Sequence, residues 1–228
     1  MLEIGRQLRG RADYLRAGVW KPRTRCGSFS GVGEPALAWL VEAAKLAEAT
    51  PITEVELPEH VDLAAEAGLR AVWLGARSVC SPALIDALAE RLALWGVSAW
   101  VKNPIASCLE LWIGAIERLE AYGVEVLGAI FRGVKSLEPT RYRNTPAWKI
   151  AQGVRIFRPT LPLLCDLSHI AGKRELLADV ASEARATSLF SGLMIEVHAR
   201  PNDAITDAKQ QVTPQEVEAL IGRFEDPK

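Results

Sequence analysis

Apolar runs of strand length alternate with helical stretches along almost the whole sequence, and this alternation limits the possible folds more than any other feature. The runs are apolar on both faces, as at residues 71–75 and 161–166. Strands that are buried on both sides and separated by helices are typical of a parallel sheet covered by helices. The sequence therefore predicts an α/β protein.

Seven such runs occur, at residues 14–20, 52–55, 71–75, 98–101, 124–131, 161–166 and 192–197. A closed (β/α)8 barrel needs eight strands. The alternative is a doubly wound open sheet, but no Gly-x-Gly-x-x-Gly pattern follows an early strand, as it does in the dinucleotide-binding proteins of that class. We therefore expect residues 1–228 to form a single (β/α)8 TIM-barrel domain that lacks its first strand.

The stretches between the strands predict helices, at residues 2–11, 34–49, 58–67, 81–95, 107–121, 149–158, 173–187 and 213–224. Thr213 is a plausible N-cap, and Glu216 three residues later completes a capping box. Residues 134–148 have no clean period. We therefore predict an irregular loop there, with room for one helical turn.

Composition excludes several classes of partner. The formal net charge is −1, which gives no reason to expect nucleic acid or an acidic membrane surface. The four cysteines are widely spaced and contain no Cys-x-x-Cys pair, so free thiols in a reducing cytoplasm are expected. The N-terminus has no secretory signal pattern, and charges interrupt every apolar stretch too early for a membrane span.

Lysines and arginines follow the ends of four predicted strands. Lys21 and Arg23 follow the first run, and Pro22 between them forces an extended exit. Arg77, Lys102 and Arg132 follow later runs. Because the carboxyl ends of barrel strands share one face, these cations suit two phosphate groups, or a phosphate and a carboxylate.

Side chains with metal-ligand atoms follow the last two predicted strands. His169 offers an imidazole, Glu196 and His198 are two residues apart on the last strand, and Asp207 lies in the next loop. One imidazole and two carboxylates suit Mn²⁺, Mg²⁺, Fe²⁺ or Zn²⁺. His198 could equally orient a ligand. A lone histidine is more often structural, as we expect of His60, so spacing alone leaves both readings open.

Taken together, these motifs resemble the type I 3-deoxy-7-phosphoheptulonate (DAHP) synthases. The similarity is greatest to the branch that often carries a fused chorismate mutase. It covers residues 13–224 and rests on the following segments: Lys21-Pro22-Arg23-Thr24, Gly75-Ala76-Arg77, Lys102-Asn103-Pro104, Arg132-Gly133, Asp166-Leu167-Ser168-His169, and the stretches 192–198 and 205–208.

The resemblance implies a metal-assisted, aldol-type condensation of phosphoenolpyruvate (PEP) with erythrose 4-phosphate at the start of aromatic amino-acid biosynthesis, the shikimate pathway. It implies that PEP is bound by Arg16, Lys21, Arg77, Lys102 and Arg132, and erythrose 4-phosphate by Pro22, Arg23 and Thr24. It also implies that Gly75 and Ala76 bind substrate. It implies a divalent metal on His169, Glu196 and Asp207, and a catalytic part for Lys21, Lys102 and His169. A homo-oligomer and a separate chorismate mutase are the expected protein partners.

The sequence also departs from the family pattern. The family's first strand ends in Gly-Pro-Cys-Ser, whose cysteine is a fourth metal ligand, and no counterpart is present here. Two explanations are open: a truncated sequence, or a degenerate homologue that binds phosphorylated metabolites or a partner without efficient catalysis. A third hypothesis, a related eight-carbon sugar-acid synthase, is disfavoured by Lys21-Pro22-Arg23-Thr24.

Overall fold

The computed structural model describes residues 1–23 and 26–225. Thr24, expected to meet erythrose 4-phosphate, lies outside these residues. The part described contains seven strands in one sheet. They are β1 (Tyr14–Ala17), β2 (Thr50–Val55), β3 (Ala71–Leu74), β4 (Ser98–Lys102), β5 (Val126–Phe131), β6 (Leu163–Asp166) and β7 (Gly192–Met194).

The strand order in the sheet follows the sequence, from β1 to β7. Strands β1 to β4 pair in parallel, and so do β5 to β7. A doubly wound sheet reverses its strand order at a switch point, whereas consecutive parallel strands are the topology of a (β/α)8 barrel. The predicted fold class, a barrel topology short of one strand, is confirmed.

Helices occupy the connections between the strands. They are α1 (Leu2–Gln7), α2 (Pro35–Ala47), α3 (Pro58–Glu66), α4 (Pro82–Trp95), α5 (Leu109–Ala121), α6 (Trp148–Phe157), α7 (Leu167–Ala171), α8 (Leu177–Ala186) and α9 (Pro214–Glu225). Short 3₁₀ helices cover Ser78–Cys80, Arg174–Leu176, Pro201–Asp203 and Ala208–Gln210. The predicted capping box begins α9, since the Glu216 N–H reaches Thr213 Oγ1 at 3.3 Å and the Thr213 N–H reaches Glu216 Oε2 at 2.7 Å.

Two compact units make up the chain. The first unit comprises Met1–Val101 and Gly114–Leu127, and the second comprises Lys102–Ile113 and Gly128–Lys228. Apolar side chains of α2, α4 and the strands β2 and β3 are buried within the first unit. In the second unit, Phe131 packs against three aromatic rings, with ring centroids 5.6–6.2 Å apart: Trp112, Trp148 and Phe190.

The structure corrects the predicted ends of two strands. Strand β1 ends at Ala17, because Val19 and Lys21 instead bond to the returning loop: the Gly33 N–H donates to Val19 O at 3.0 Å. Strand β7 ends at Met194, because the Glu196 N–H donates to Ser168 Oγ at 2.8 Å.

The structure also tests the predictions for the segments 134–148 and 173–187. Residues 134–147 form no helix, and Val134 and Thr145 make an isolated antiparallel bridge. The helix expected at 173–187 is divided into a 3₁₀ turn and α8.

The cysteines described are free, as predicted, and burial raises the pKa of the Cys165 thiol well above its usual value. Within the described ranges, every helix is too short or too polar to cross a membrane.

Candidate active site

Lys102, the last residue of β4, is a buried cation of the second unit. Lys102 Nζ lies 2.9 Å from Asp166 Oδ2, and the two side chains are 5% and 0% exposed. Asp166 is the last residue of β6 and the N-cap of α7. A charge this deeply buried needs a partner of opposite charge, so Asp166 is what allows an ammonium group to sit here.

His169 lies in α7 because Asp166 caps that helix. Asp166 Oδ1 accepts the His169 backbone N–H at 3.1 Å. His169 Nδ1 lies 2.9 Å from Asp166 Oδ2 and 4.0 Å from Glu196 Oε1, yet this buried nitrogen makes no well-aligned hydrogen bond. Burial lowers the pKa of His169, and the Asp166 carboxylate partly opposes that shift. A neutral imidazole beside carboxylates is chemically suited to binding a metal ion.

Hydrogen bonds within the second unit hold both the backbone and the side chain of Glu196. Its backbone N–H donates to Ser168 Oγ, and its Oε2 accepts from Gln210 Nε2 at 2.7 Å. Strand β7 ends before Glu196 and His198, and Val197 between them makes an isolated parallel bridge with Val212. His198 Nδ1 lies 2.7 Å from Arg200 O, within a local turn.

Asp207 is tied to an arginine. Arg143 Nη1 lies 3.0 Å from Asp207 Oδ1, and Asp207 has a left-handed backbone with φ 55° at the start of a 3₁₀ helix. In the part of the chain that is described, no group of three or more His, Cys, Asp or Glu side chains is already arranged to hold a metal ion. The structure thus brings His169 and Glu196 together, and it places Asp207 against a cation.

Asn103 connects the ends of β4 and β5. Its Oδ1 accepts the Arg132 N–H at 2.7 Å, and its Nδ2 donates to Gly133 O at 3.0 Å. Asn103 is fully buried, and Arg132 is 8% exposed. Gly133 has φ 73°, a conformation that favours glycine. Asn103 therefore fixes the backbone that presents Arg132.

In the first unit, the backbone around Lys21 returns on itself. The Lys21 N–H donates to Ser30 O at 2.7 Å, and Arg23 Nε donates to Phe29 O at 2.7 Å. A Cβ atom at Gly18 would lie 2.5 Å from Lys21 Cε, so the missing side chain leaves room for the lysine stem. These contacts fix the Lys21–Arg23 segment against residues 29 and 30.

The other predicted substrate-binding residues of the first unit lie on β1 and after β3. Arg16 lies over the Trp73 ring, with its guanidinium carbon 5.0 Å from the ring centroid. A Cβ atom at Gly75 would overlap the Glu54 carboxylate, so glycine is required for that approach. Ala76 is buried, and Arg77 is exposed.

A stacked ring pair precedes the Lys21 segment. The rings of Trp20 and His60 are parallel within 5°, with centroids 4.1 Å apart. His60 lies in the first turn of α3, where its Nδ1 accepts the Glu56 N–H at 3.3 Å. Burial lowers the pKa of His60. These contacts agree with the structural role that was predicted for His60.

Sequence reasoning missed Asn103, Asp166, Gln210 and Arg143 as parts of the site. Asn103 and Asp166 stand inside segments that carried the resemblance, so adjacency to Lys102 and His169 was an available signal. Gln210 and Arg143 gave none, because their partners lie 14 and 64 residues away in sequence.

The DAHP synthetase I family model matches residues 1–224. The chain belongs to this family. A relative in Thermotoga maritima, the phospho-2-dehydro-3-deoxyheptonate aldolase, is 29% identical over 207 residues. That alignment covers 87% of this chain and 56% of the relative, so the chain spans little more than half the length of that family member.

Two solved structures from Thermotoga maritima have a similar fold. The crystal structure of the Thermotoga maritima DAHP synthase superposes with a TM-score of 0.82 at 26% identity, covering 98% of this chain and 62% of that one. A truncated form of 3-deoxy-D-arabino-heptulosonate 7-phosphate synthase from the same organism gives 0.79 at 24% identity, covering 98% and 78%. The second similarity concerns the fold alone.

Proposed function

We propose that this DAHP synthetase I family member is a 3-deoxy-7-phosphoheptulonate synthase, a transferase that condenses PEP with erythrose 4-phosphate in the shikimate pathway. The observation that carries the proposal is the buried row of Lys102, Asp166, His169 and Glu196, in which each group lies within 4.0 Å of the next. A buried cation beside an imidazole and a carboxylate suits an anionic substrate next to a metal ion.

The cations have a clear task in this reaction. PEP and erythrose 4-phosphate are both anionic and repel each other, so fixed positive groups are needed to hold them in reacting geometry. The proposed PEP ligands are Arg16, Lys21, Arg77, Lys102 and Arg132, and Gly75 and Ala76 are proposed to bind substrate beside Arg77. Pro22, Arg23 and Thr24 are proposed to meet erythrose 4-phosphate.

The proposed metal ligands are His169, Glu196 and Asp207. His169 Nδ1 lies 2.9 Å from Asp166 Oδ2 and 4.0 Å from Glu196 Oε1, and an imidazole beside carboxylates suits a divalent cation such as Mn²⁺, Fe²⁺ or Zn²⁺. Such an ion, when bound, acts as a Lewis acid on the aldehyde oxygen of the sugar phosphate. Asp166 meanwhile pairs with Lys102 and orients α7 through its cap.

The remaining parts of the proposal concern context. We propose that residues 1–228 belong to one incomplete barrel domain, since the family model matches residues 1–224. A cytoplasmic location fits the free cysteines described. A homo-oligomer and a separate chorismate mutase stay proposals from the branch that the sequence resembles.

Phosphate release from PEP tests the proposed function. The purified chain is incubated with PEP, Mn²⁺ and either erythrose 4-phosphate or a five-carbon aldose phosphate, and inorganic phosphate is measured. We expect release only with the four-carbon sugar. Release that requires the five-carbon sugar would instead show an eight-carbon sugar-acid synthase, and no release with either sugar would leave a binding role.

A further inference from the structure

Gln210 lies between the two carboxylates that are proposed to bind metal. Its Nε2 donates to Glu196 Oε2 at 2.7 Å, and its Oε1 accepts from Arg143 Nη1 at 2.7 Å. The same Arg143 nitrogen lies 3.0 Å from Asp207 Oδ1. The Gln210 amide therefore links the Glu196 carboxylate to Arg143, and Arg143 in turn contacts the Asp207 carboxylate.

The orientation of this amide follows from the chemistry of its neighbours. A carboxylate only accepts hydrogen bonds and a guanidinium only donates them, so the Gln210 nitrogen must face Glu196 and its oxygen must face Arg143. The Gln210 side chain is also buried, with the residue 2% exposed. An amide with both ends engaged and little access to water holds its neighbours at a fixed separation.

The backbone fastens the same segment to Glu196. The Val212 N–H donates to Glu196 O at 3.1 Å, and the His198 N–H donates to Val212 O at 2.9 Å. The Gln210 N–H donates to Asp207 O at 3.0 Å, which closes the 3₁₀ turn between them. Backbone hydrogen bonds alone therefore hold the segment that carries Gln210 against both Glu196 and Asp207.

We propose that Gln210 is a positioning residue of the metal site, which sets the separation and orientation of the Glu196 and Asp207 carboxylates for a divalent cation. This inference rests on the proposed function, because it takes those carboxylates as metal ligands. Hydrogen-bonded partners of ligating carboxylates typically contribute about 10- to 100-fold to metal affinity. Gln210 does not contact the substrates in this proposal, and it acts through the carboxylates.

Isothermal titration calorimetry of the full chain with Mn²⁺ measures metal affinity and so tests this role without reference to catalysis. Gln210→Met keeps the length of the side chain and removes both hydrogen bonds. Gln211→Met is the matched control, since the neighbouring Gln211 amide donates to the backbone oxygen of Thr206 at 2.9 Å and reaches neither carboxylate. Thermal unfolding of each variant without metal separates loss of folding from loss of metal affinity.

We expect Gln210→Met to weaken Mn²⁺ binding by on the order of 10- to 100-fold, and Gln211→Met to change it less than about threefold. If Gln210→Met does not fold, Gln210→Asn replaces it, because the shortened amide cannot keep both contacts, and the same loss of affinity is expected. Equal Mn²⁺ affinity in the folded Gln210 variant and the wild type would overturn the inference alone.

The proposed function fails in a different way. A wild-type chain that binds Mn²⁺ but releases no phosphate from PEP would overturn the synthase proposal, while the affinity comparison at Gln210 would still decide the positioning role. A wild-type chain that binds no Mn²⁺ would overturn both the metal site and the role of Gln210 in it.

Discussion

The two units hold their cations in different ways. In the first unit, Arg16 lies over a tryptophan ring, Arg23 bonds a backbone oxygen, and Arg77 is exposed. In the second unit, Lys102 and Arg132 are 4% and 8% exposed. Lys102 is ion-paired there with a buried aspartate, and the backbone of Arg132 is fixed by a buried asparagine.

We expect this difference to distinguish cations that serve mainly substrate binding from cations that also contribute to folding stability. An exposed cation loses little when it exchanges water for a substrate phosphate, and its removal leaves the core unchanged. A buried ion pair is part of the core, and removal of one partner leaves an uncompensated charge. Removal of the exposed Arg77 in the first unit should therefore affect binding more than folding, and removal of the buried Lys102 in the second unit should affect both.

The largest expected effect is at Lys102. Lys102→Met leaves Asp166 charged and fully buried, so we expect a loss of about 3–5 kcal/mol in the free energy of unfolding. Arg77→Met in the first unit is the matched comparison, with an expected change within about 0.5 kcal/mol. Urea unfolding measures both, and equal losses in the two variants would remove the distinction between the units.

Binding of PEP provides the second half of that comparison. Arg77→Met should raise the KM for PEP by on the order of 10- to 100-fold, the range for a lost charge-assisted hydrogen bond. An unchanged KM in Arg77→Met would show that the exposed cation is a solvated side chain without a substrate contact.

An intermediate effect is expected at Asn103. Asn103→Ala removes the acceptor of the Arg132 N–H and the donor to Gly133 O, and buried backbone groups left without partners cost about 1–3 kcal/mol. Asn202→Ala, at an exposed position in the same unit, should stay within about 0.5 kcal/mol. Unfolding by urea distinguishes them, and a neutral Asn103→Ala would show that water replaces the amide.

Local patterns predicted more of the fold than of the site. The capping box of α9 could be read because Thr213 and Glu216 are three residues apart and form their bonds within one turn. The end of β7 could not, because it depends on Ser168, 28 residues earlier in the chain. Gln210 was missed for the same reason: its partners are set by the fold and not by neighbouring residues.

The segment Lys21–Arg23 also shows that contacts between residues distant in sequence could not be predicted. Pro22 predicts the extended exit directly, since proline restricts the residue before it. The return of the loop onto Val19 depends on a backbone bond from Gly33, across fourteen residues. Cations at strand ends were thus visible in sequence, and the contacts that hold them were not.

The smallest expected effect is a pH dependence at His60. Burial lowers the pKa of His60, although Glu59 opposes this shift, so the folded chain favours the neutral ring. The unfolded chain takes up the proton first, and stability should therefore fall as the pH drops below about 6.5. Protonation of Nδ1 would also remove the bond from the Glu56 N–H.

His60→Phe keeps a ring against Trp20 and removes the titrating group. Between about pH 8 and pH 6, its stability should decline less than that of the wild type. His60→Ala should lose about 0.5–1.5 kcal/mol at the upper end of that range, the usual contribution of an aromatic pair. Thermal unfolding across the range checks both, and identical pH profiles for wild type and His60→Phe would contradict the assignment.

Removal and return of the metal ion tests the central claim most directly. The wild-type chain is treated with a chelator, and phosphate release from PEP in the presence of erythrose 4-phosphate is measured before and after Mn²⁺ is added. We predict that release stops with the chelator, returns with Mn²⁺ in the wild type, and does not return in His169→Ala. Undiminished release in the chelator, or full recovery in His169→Ala, would contradict it.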